Sequence, residues 1–268
     1  MVTMEGSKLL ISSYKDKYLA VYYKGDKAYD IEVLDKGLRI LDSIHIAKVG
    51  NIADNISAAF LDIVNPSNKE ERLKAYYSLT DNKRHIYTDF SEHERLKQND
   101  EILVQITKEA AKGKACIASS NISLSGVYTV LSLGQGKITF SSKIDDKAWK
   151  EEIKAEIEGY LDKDLNLVLR TNSYKVKNEL IQKELLLLSE EMKGLLEKAR
   201  HTKAPALIKL SDKEYIGLLK QYLNGELKEI ITDIDEVFED ISAYLKDSDK
   251  SKILNCRLYK DELLPLNK

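Results

Sequence analysis

Residues 101–131, EILVQITKEAAKGKACIASSNISLSGVYTVL, are the stretch on which the interpretation of the whole chain depends. They begin with a strand-like run, Ile102–Ile106, and further strand-like residues close the stretch. The loop between them carries three lysines, Lys108, Lys112 and Lys114. A short cationic loop cannot bury its ammonium groups, so the pattern indicates a surface that can grip phosphates. An ordinary solvated hairpin accounts for the same residues, and both interpretations stand at this point.

The composition is that of a soluble globular protein. The chain has 268 residues, of which 43% are hydrophobic and 32% charged, which is enough for one large domain or two to three small ones. No apolar run approaches the roughly 20 residues that a membrane-spanning helix needs. The N-terminus also lacks the pattern of a signal peptide. We therefore expect a cytoplasmic protein with no membrane partner.

Charge is unevenly distributed along the chain. The net charge is −2, but lysines predominate within residues 105–143 and acids within residues 226–250. A chain polarised in this way can bind a polyanion at one end while staying close to neutral overall.

Cysteines, histidines and acids do not predict a metal site. Cys116 and Cys256 are far apart in sequence, and no Cys-x-x-Cys motif is present. His85 and His93 could share a loop, with metal binding there as the minor alternative. The acids within residues 233–240 lie in the first turns of a predicted helix, where capping and the helix dipole explain them.

Two groups of short strands are predicted. Residues 8–33 contain three strand-like pieces separated by polar turns, which predicts an antiparallel meander. The second group has five strands and one long polar insertion, residues 80–100, which matches the strand count of an OB-fold barrel. Its predicted strands are Ile44–Val49, Ile56–Val64, Leu73–Leu79, Ile102–Ile106 and Ala115–Asn121.

Aromatic residues of the predicted barrel are candidates for nucleic-acid binding. OB-folds usually bind single-stranded nucleic acid or oligosaccharide, and they stack bases on aromatic side chains inside a basic groove. The candidates are Phe60, Tyr76 and Tyr77, although Phe60 could instead pack in the barrel core. Because successive strand residues face opposite sides, at least one of the two tyrosines should be exposed.

The segment that follows the predicted barrel ends with an arginine and a threonine. A predicted helix, Asp145–Leu161, is followed by a strand, Leu165–Leu169, that runs directly into Arg170 and Thr171. An arginine followed by a threonine at a strand end suits bidentate phosphate contact plus a hydroxyl hydrogen bond. A salt-bridged strand end is the alternative.

The last third of the chain alternates helices and strands. Tyr174–Arg200 is predicted as an amphipathic helix whose buried face Leu187 and Leu196 widen. Strand–helix alternation then predicts that the two following strands pair in parallel. These later elements are strand Ala206–Leu210, helix Asp212–Leu223, strand Lys228–Thr232 and helix Asp233–Leu245.

The predicted fold is mixed α+β. Three antiparallel strands followed much later by parallel strands with helices are the layout of an RNase H-like sheet. The predicted domains are an RNase H-like domain from residues 1–35 plus 172–255, an OB-fold domain from residues 36–122, a small α+β segment from residues 123–171, and a C-terminal tail from residues 256–268.

Several strings, in order from about residue 8 to the end of the chain, resemble the ribonuclease E/G family. They are AAFLDI at 58–63, ILVQITKE at 102–109, NISLSGVYTVL at 121–131, LVLRT at 167–171 and APAL at 204–207. In that family the N-terminal half is an RNase H-like domain interrupted by an OB-fold of the S-one type and by a sensor for the 5′ end of RNA. The resemblance therefore implies that residues 123–171 form a 5′-sensor-like segment.

The resemblance also implies two sets of site residues. The implied RNA-binding residues are Phe60, Tyr76, Lys112 and Lys114. The implied pocket for a 5′-monophosphate consists of Gly126, Val130, Arg170 and Thr171. Two departures stand out. Ser142 occupies the place where the family usually has a second arginine, and Ile46-Ala47 replace the family's Lys-Gly in the first barrel strand.

No catalytic or metal-binding residue is predicted in this chain. The family's Mg²⁺-binding aspartates lie beyond the segment resembling Leu258–Pro265, in a nuclease domain followed by a Cys-Pro-x-Cys zinc link. We find no candidate for either aspartate here, so we expect no cofactor within this chain.

The sequence thus predicts a monomeric protein that binds single-stranded RNA, including its 5′ end, for RNA processing or decay. One alternative is an endoribonuclease whose metal-binding catalytic part lies beyond this chain or in a partner protein. A degenerate protein-interaction remnant is the other. Whether the chain is an enzyme stays open at this stage.

Overall fold

The fold was obtained as a computed structural model, which describes residues 6–89, 95–111, 114–223, 226–247, 254–260 and 266. The architecture is mixed α+β, as predicted. The chain divides into two compact units, Met1–Gly37 with Lys213–Lys268, and Leu38–Asp212. None of the helices in the described ranges is long and apolar enough to span a membrane.

The elements follow one another in this order. The strands of the first two-thirds of the chain are β1 (Ser7–Tyr14), β2 (Lys17–Lys24), β3 (Lys27–Asp35), β4 (Ile44–Ala53), β5 (Ala58–Asn65), β6 (Asn68–Ser78), β7 (Glu101–Lys108), β8 (Cys116–Ser119), β9 (Ser123–Ser125), β10 (Thr129–Leu133), β11 (Ile138–Phe140) and β12 (Leu165–Leu169). The later strands are β13 (Ala206–Lys209), β14 (Leu227–Thr232) and β15 (Asn255–Leu258). The helices are α1 (Lys147–Ile157), α2 (Asn178–Arg200), α3 (Glu214–Tyr222) and α4 (Asp235–Asp247).

The first unit is built on a five-stranded sheet of order β15-β14-β1-β2-β3. Strands β1 to β3 form the predicted antiparallel meander, and β1, β14 and β15 pair in parallel. Side chains alternate between the two faces of the sheet. Tyr22 is buried on one face, where its ring stacks on Tyr222 of α3 with centroids 4.0 Å apart. Tyr29, Ile31 and Val33 of β3 are exposed.

The second unit contains a closed five-stranded barrel, as the sequence predicts. Its order is β4-β5-β6-β8-β7, and pairing of β4 with β7 closes the ring. Strands β6 and β8 pair in parallel, and the other neighbouring pairs are antiparallel. Alternate residues such as Ala59, Leu61 and Ile63 of β5 fill the core. The architecture is that of an OB-like barrel.

A four-stranded sheet of order β11-β12-β10-β9 follows the barrel in the same unit. Helix α1 begins after Asp146, whose carboxylate accepts a hydrogen bond from the Trp149 backbone nitrogen at 3.1 Å. That cap satisfies a backbone donor in the first turn. Helix α2 packs on β10 of this sheet with Ile181, Leu185 and Leu188 buried.

Two predictions for the last third are wrong. Strand β13 does not pair in parallel with β14; it lies antiparallel to β4, with Ala206 opposite Ile46. A local alternation of strand and helix cannot specify which sheet a strand joins. Leu187 does not widen the buried face of α2 but is 51% exposed. It lies about 100° around the helix from Leu188, which already faces the core.

Element boundaries also differ from the prediction, as at β5 and α2. Strand β5 begins at Ala58, because Asp54–Ile56 form a 3-10 turn that ends on Ser57 with φ 48°. Helix α2 begins at Asn178 and not at Tyr174, because Lys175 has a positive φ of 58°, which a right-handed helix does not allow. Strand β15 is absent from the prediction. The second unit includes residues 172–212, which the prediction assigns to the RNase H-like domain, so the predicted domain boundaries stay a proposal.

Candidate nucleic-acid interface

Phe60 and Tyr76 lie side by side on the outer face of the barrel. They are directly opposite each other in β5 and β6, and their ring centroids are 6.1 Å apart with planes at 74°. Both are partly exposed, whereas their neighbours Ala59 and Tyr77 point into the core. Phe60 therefore does not belong to the barrel core.

The pair continues into a row across four strands. Ile117 of β8 lies opposite Tyr76, and Lys108 of β7 lies opposite Ile117. Ile117 is partly exposed and Lys108 is exposed. We call Phe60, Tyr76, Ile117 and Lys108 the aromatic row. It presents two rings, one aliphatic side chain and one cation to solvent.

Charged side chains flank the aromatic row. Lys74 Nζ lies 2.6 Å from Asp62 Oδ1 in the next cross-strand pair, and Lys48 of β4 lies opposite Asp62. Lys114 is exposed in the loop before β8, where its backbone nitrogen donates to the Ala111 carbonyl oxygen at 3.0 Å. Lys112, the other lysine implied as RNA-binding, lies outside the described residues.

Tyr77 belongs to the core and is not a platform. It is fully buried, its hydroxyl lies 2.9 Å from His85 Nδ1, and burial raises the pKa of Tyr77 to about 12. Burial also lowers the pKa of His85. Tyr76 and Tyr77 face opposite sides as predicted, and Tyr76, the outward one, is partly exposed. His93 lies outside the described residues.

The sheet after the barrel brings three strand ends to one edge. Strands β9 and β12 are both antiparallel to β10, and β11 is parallel to β12, so β9, β11 and β12 run in the same direction. Their carboxyl ends therefore meet. Gly126 follows β9, Ser141 follows β11, and Arg170 with Thr171 follow β12.

Hydrogen bonds connect these strand ends. The Arg170 guanidinium donates from Nη1 to the Gly126 carbonyl oxygen, and the Arg170 backbone nitrogen donates to the Tyr128 carbonyl oxygen at 2.8 Å. Thr171 Oγ1 lies 3.1 Å from Ser141 Oγ. Val130 lies within β10, opposite Val168 of β12. Gly126, Arg170 and Thr171 thus share the strand-end edge, while Val130 stands further along β10.

The residues of the strand-end edge lie in a part of the chain that matches a known protein family. The model of the Ribonuclease E/G family matches residues 123–267, more than half of the chain. The chain belongs to the ribonuclease E/G family. The resemblance found in the sequence is therefore confirmed.

Relatives within the ribonuclease E/G family match along most of this chain. Ribonuclease E of Nostoc sp. is 24% identical over 231 residues, which are 85% of this chain and 33% of that protein. Ribonuclease E of Buchnera aphidicola from Acyrthosiphon pisum is 26% identical over 238 residues, 87% of this chain and 26% of that protein. Ribonuclease E of Escherichia coli K12 is 26% identical over 244 residues, 87% of this chain and 22% of that protein. The chain thus spans between about a fifth and a third of the length of these relatives.

One residue near the strand-end edge of this ribonuclease E/G family member is not predicted from the sequence. Glu184 of α2 accepts hydrogen bonds at 2.8 Å from the backbone nitrogens of Val127, Tyr128 and Thr129, and from Thr129 Oγ1. Its sequence signal is weak: it lies one turn after Ile181, beside the buried face of an otherwise ordinary amphipathic helix.

The resemblance implies Mg²⁺ for the family's catalytic part, and the described residues do not fit that ion. No group of three or more His, Cys, Asp or Glu within the described ranges could hold a metal. Hydrolysis by a metal-bound water needs carboxylates that hold the metal. We therefore derive no catalytic step from these residues.

Proposed function

We propose that this chain binds single-stranded RNA across the outer face of its barrel, with bases stacked on Phe60 and Tyr76. The observation that carries the proposal is the partial exposure of these two rings, directly opposite each other in β5 and β6. A ring that stacks on a base needs an open face, and each stacked base contributes roughly 1–3 kcal/mol. Membership in a ribonuclease family supports an RNA-related role for the chain.

Lysines beside the aromatic row are proposed to contact the RNA backbone. Lys108 stands at the end of the row, and Lys112 and Lys114 follow it within six residues of sequence. Cations along a groove attract phosphates without reading sequence, and counterion release makes such binding sensitive to salt.

The strand-end edge is proposed to receive the 5′ end of the RNA. Arginine and threonine side chains offer N–H and O–H donors to a phosphate, and both Arg170 and Thr171 lie at this edge with Gly126. Val130 is proposed to line the same pocket. Ser142 offers no second guanidinium, so the proposed preference for a 5′-monophosphate over a 5′-hydroxyl is a few-fold.

Fluorescence anisotropy with a labelled single-stranded RNA tests the barrel site. The double variant Phe60→Ala, Tyr76→Ala is expected to weaken binding by at least about tenfold, because two stacking faces are lost. Tyr29→Ala is the matched control, since Tyr29 is an exposed aromatic of the other unit. Wild-type binding should also weaken as salt rises from about 50 to 200 mM, and less steeply in Lys114→Ala.

Two results would overturn the barrel site. The first is equal affinity of the double variant and the wild type for the labelled RNA. The second is binding that does not change with salt. Absence of RNA binding by the wild type at micromolar protein would instead favour the protein-interaction remnant.

The second candidate function is that of an endoribonuclease. The observation that favours it is that the relatives are ribonuclease E proteins, of whose length this chain covers only a small share. In this case the Mg²⁺-binding catalytic part lies beyond this chain or in a partner protein. The 268-residue chain alone should then leave a single-stranded RNA intact in the presence of Mg²⁺. Cleavage by the purified chain would show a catalytic site that this proposal lacks.

We also propose a fold for the first sheet, a cellular location and an oligomeric state. The order β3-β2-β1-β14-β15, in which β2 runs opposite to the other four strands, supports an RNase H-like assignment for the first sheet. We also propose that the protein is cytoplasmic and monomeric. Light scattering at micromolar protein that gave the mass of a dimer would contradict the last assignment.

A further inference from the structure

The carboxylate of Glu184 accepts four hydrogen bonds from the turn between β9 and β10. Tyr128 N, Thr129 N and Thr129 Oγ1 donate to its Oε1, and Val127 N donates to its Oε2, each at 2.8 Å. Three successive backbone N–H groups that converge on one anion form a nest. Here the anion is a side chain of the same protein, so the nest is filled by α2.

The nest fixes the turn between β9 and β10. Gly126 N donates to the Thr129 carbonyl oxygen at 2.8 Å across this turn. A Cβ placed on Gly126 would lie 2.3 Å from Glu184 Oε1, so any larger residue here would push the carboxylate away from its donors. Glycine at this position and the carboxylate of Glu184 are therefore fitted to each other.

The same turn holds Arg170. The Gly126 carbonyl oxygen accepts from Arg170 Nη1, and the Tyr128 carbonyl oxygen accepts from the Arg170 backbone nitrogen at 2.8 Å. Two peptide groups, Gly126–Val127 and Tyr128–Thr129, thus donate their N–H to Glu184 on one side and direct their carbonyl oxygen to Arg170 on the other. If Glu184 is removed, the turn loses the anion on one side and the guanidinium loses a fixed acceptor on the other.

We propose that Glu184 is a positioning residue for recognition of the RNA 5′ end. It orients the Gly126–Thr129 turn, and that turn sets the direction of the Arg170 guanidinium at the strand-end edge. This inference rests on the proposed 5′-end pocket. Glu184 itself is not expected to touch the RNA, because its carboxylate is occupied by the four donors.

The experiment compares two RNAs that differ only at the 5′ end. Dissociation constants of the full chain are measured for one single-stranded oligonucleotide with a 5′-monophosphate and for the same oligonucleotide with a 5′-hydroxyl. The variants are Glu184→Ala and Glu184→Gln, and the matched control is Glu190→Ala, an exposed acid of the same helix. Hydrogen exchange of the Val127–Thr129 amides is recorded in parallel.

Glu184→Ala is expected to abolish the few-fold preference for the 5′-monophosphate while affinity for the 5′-hydroxyl RNA stays within about twofold. Exchange of the Val127–Thr129 amides should accelerate at least about tenfold, because their acceptor is gone. Glu184→Gln should keep part of the preference, since its carbonyl oxygen can still accept the three donors that converge on Oε1. Glu190→Ala should match the wild type.

The possible results distinguish a failure of the positioning role of Glu184 from a failure of the proposed 5′-end pocket. A wild type without preference overturns the 5′-end pocket, and the positioning role with it, while the barrel site stands. A wild-type preference that survives in Glu184→Ala overturns the positioning role alone. Equal weakening of both RNAs in Glu184→Ala shows a structural role only and also overturns it. If Glu184→Ala does not fold, Glu184→Gln decides: a preference below that of the wild type supports the positioning role, and a preference equal to that of the wild type overturns it.

Discussion

His45 lies fully buried at the start of β4, with an unusual hydrogen-bond arrangement. Its Nε2 lies 2.8 Å from Ser43 Oγ, and that hydroxyl donates to the Ile40 carbonyl oxygen. Because the hydroxyl proton is used, the imidazole donates from Nε2 and leaves the lone pair on Nδ1. Within the described residues Nδ1 is buried without a partner. A proton added there would be an unpaired buried charge, and burial accordingly lowers the pKa of His45 from 6.5 to about 4.

The lowered pKa of His45 predicts a loss of stability in mild acid. Between pH 6.5 and about 4 the unfolded chain takes up a proton at His45 that the folded chain does not. The free energy of unfolding should therefore fall as the pH falls through this window, by up to about 3 kcal/mol. Urea unfolding at pH 7, 5.5 and 4.5 measures it.

The variant His45→Asn isolates the contribution of this one histidine. The difference in unfolding free energy between wild type and variant should shrink as the pH falls, because the variant has no imidazole to protonate. His85, whose pKa burial also lowers, is common to both proteins and cancels. A difference that does not change with pH would refute the assignment.

Single residues of the interface could be predicted only in part. Alternation along β6 requires one of Tyr76 and Tyr77 to face outward, and this follows from the sequence. Which of the two it is depends on the direction of the barrel core, which is set by neighbouring strands. Glu184 could not be predicted, because its partners Val127 and Thr129 lie far away in sequence.

One buried amide connects the barrel with the sheet that follows it. Gln105 of β7 donates from Nε2 to the carbonyl oxygens of Asp42 and Ser123, both at 3.1 Å. Its Oε1 accepts from Ser123 N at 2.8 Å and from Ser123 Oγ at 3.2 Å. The side chain thus pairs with the backbone of Ser123, the first residue of β9, as a neighbouring strand would.

Gln105→Ala is therefore expected to lower the free energy of unfolding by about 2 kcal/mol, because it leaves part-buried backbone groups unpaired. The matched control is Gln98→Ala, which removes an exposed glutamine and should change stability little. Urea unfolding curves of the two variants at neutral pH provide the measurement. Equal stabilities would mean that water replaces the amide at no cost.

The pairing of strands that are far apart in sequence could not be predicted from local sequence patterns. The five barrel strands are recognisable because each alternates apolar and polar residues between turn signals. Strand β13 has the same local character, yet it lies beside β4 instead of β14. Its partner is more than a hundred residues away, and nothing in its own four residues specifies that choice.

The two compact units differ in how the chain builds them. Unit Leu38–Asp212 is continuous in sequence, and its described strands pair within it. The other unit needs both ends of the chain, since β1 to β3 come from the first and β14 with β15 from the second. A continuous segment with its own barrel core can fold alone.

We therefore predict that a fragment of residues 38–212 folds cooperatively by itself. It should bind single-stranded RNA within about threefold of the full chain, because Phe60, Tyr76 and Arg170 all lie within it. Circular dichroism during urea unfolding, followed by fluorescence anisotropy with the labelled RNA, checks both points. A matched fragment of residues 1–37 should stay unfolded, since its sheet lacks β14 and β15. A disordered 38–212 fragment would show that its folding depends on the flanking residues.

The sequence by itself determined most of the elements, the barrel and the family of this protein. Those features depend on alternation, turn residues and strings such as LVLRT at 167–171, which are local in the chain. Only the tertiary structure decided that Phe60 and Tyr76 share an outer face, that three strand ends meet at Arg170, and that Glu184 fills the nest beneath it. These arrangements depend on contacts between residues far apart in sequence, which local sequence patterns do not specify.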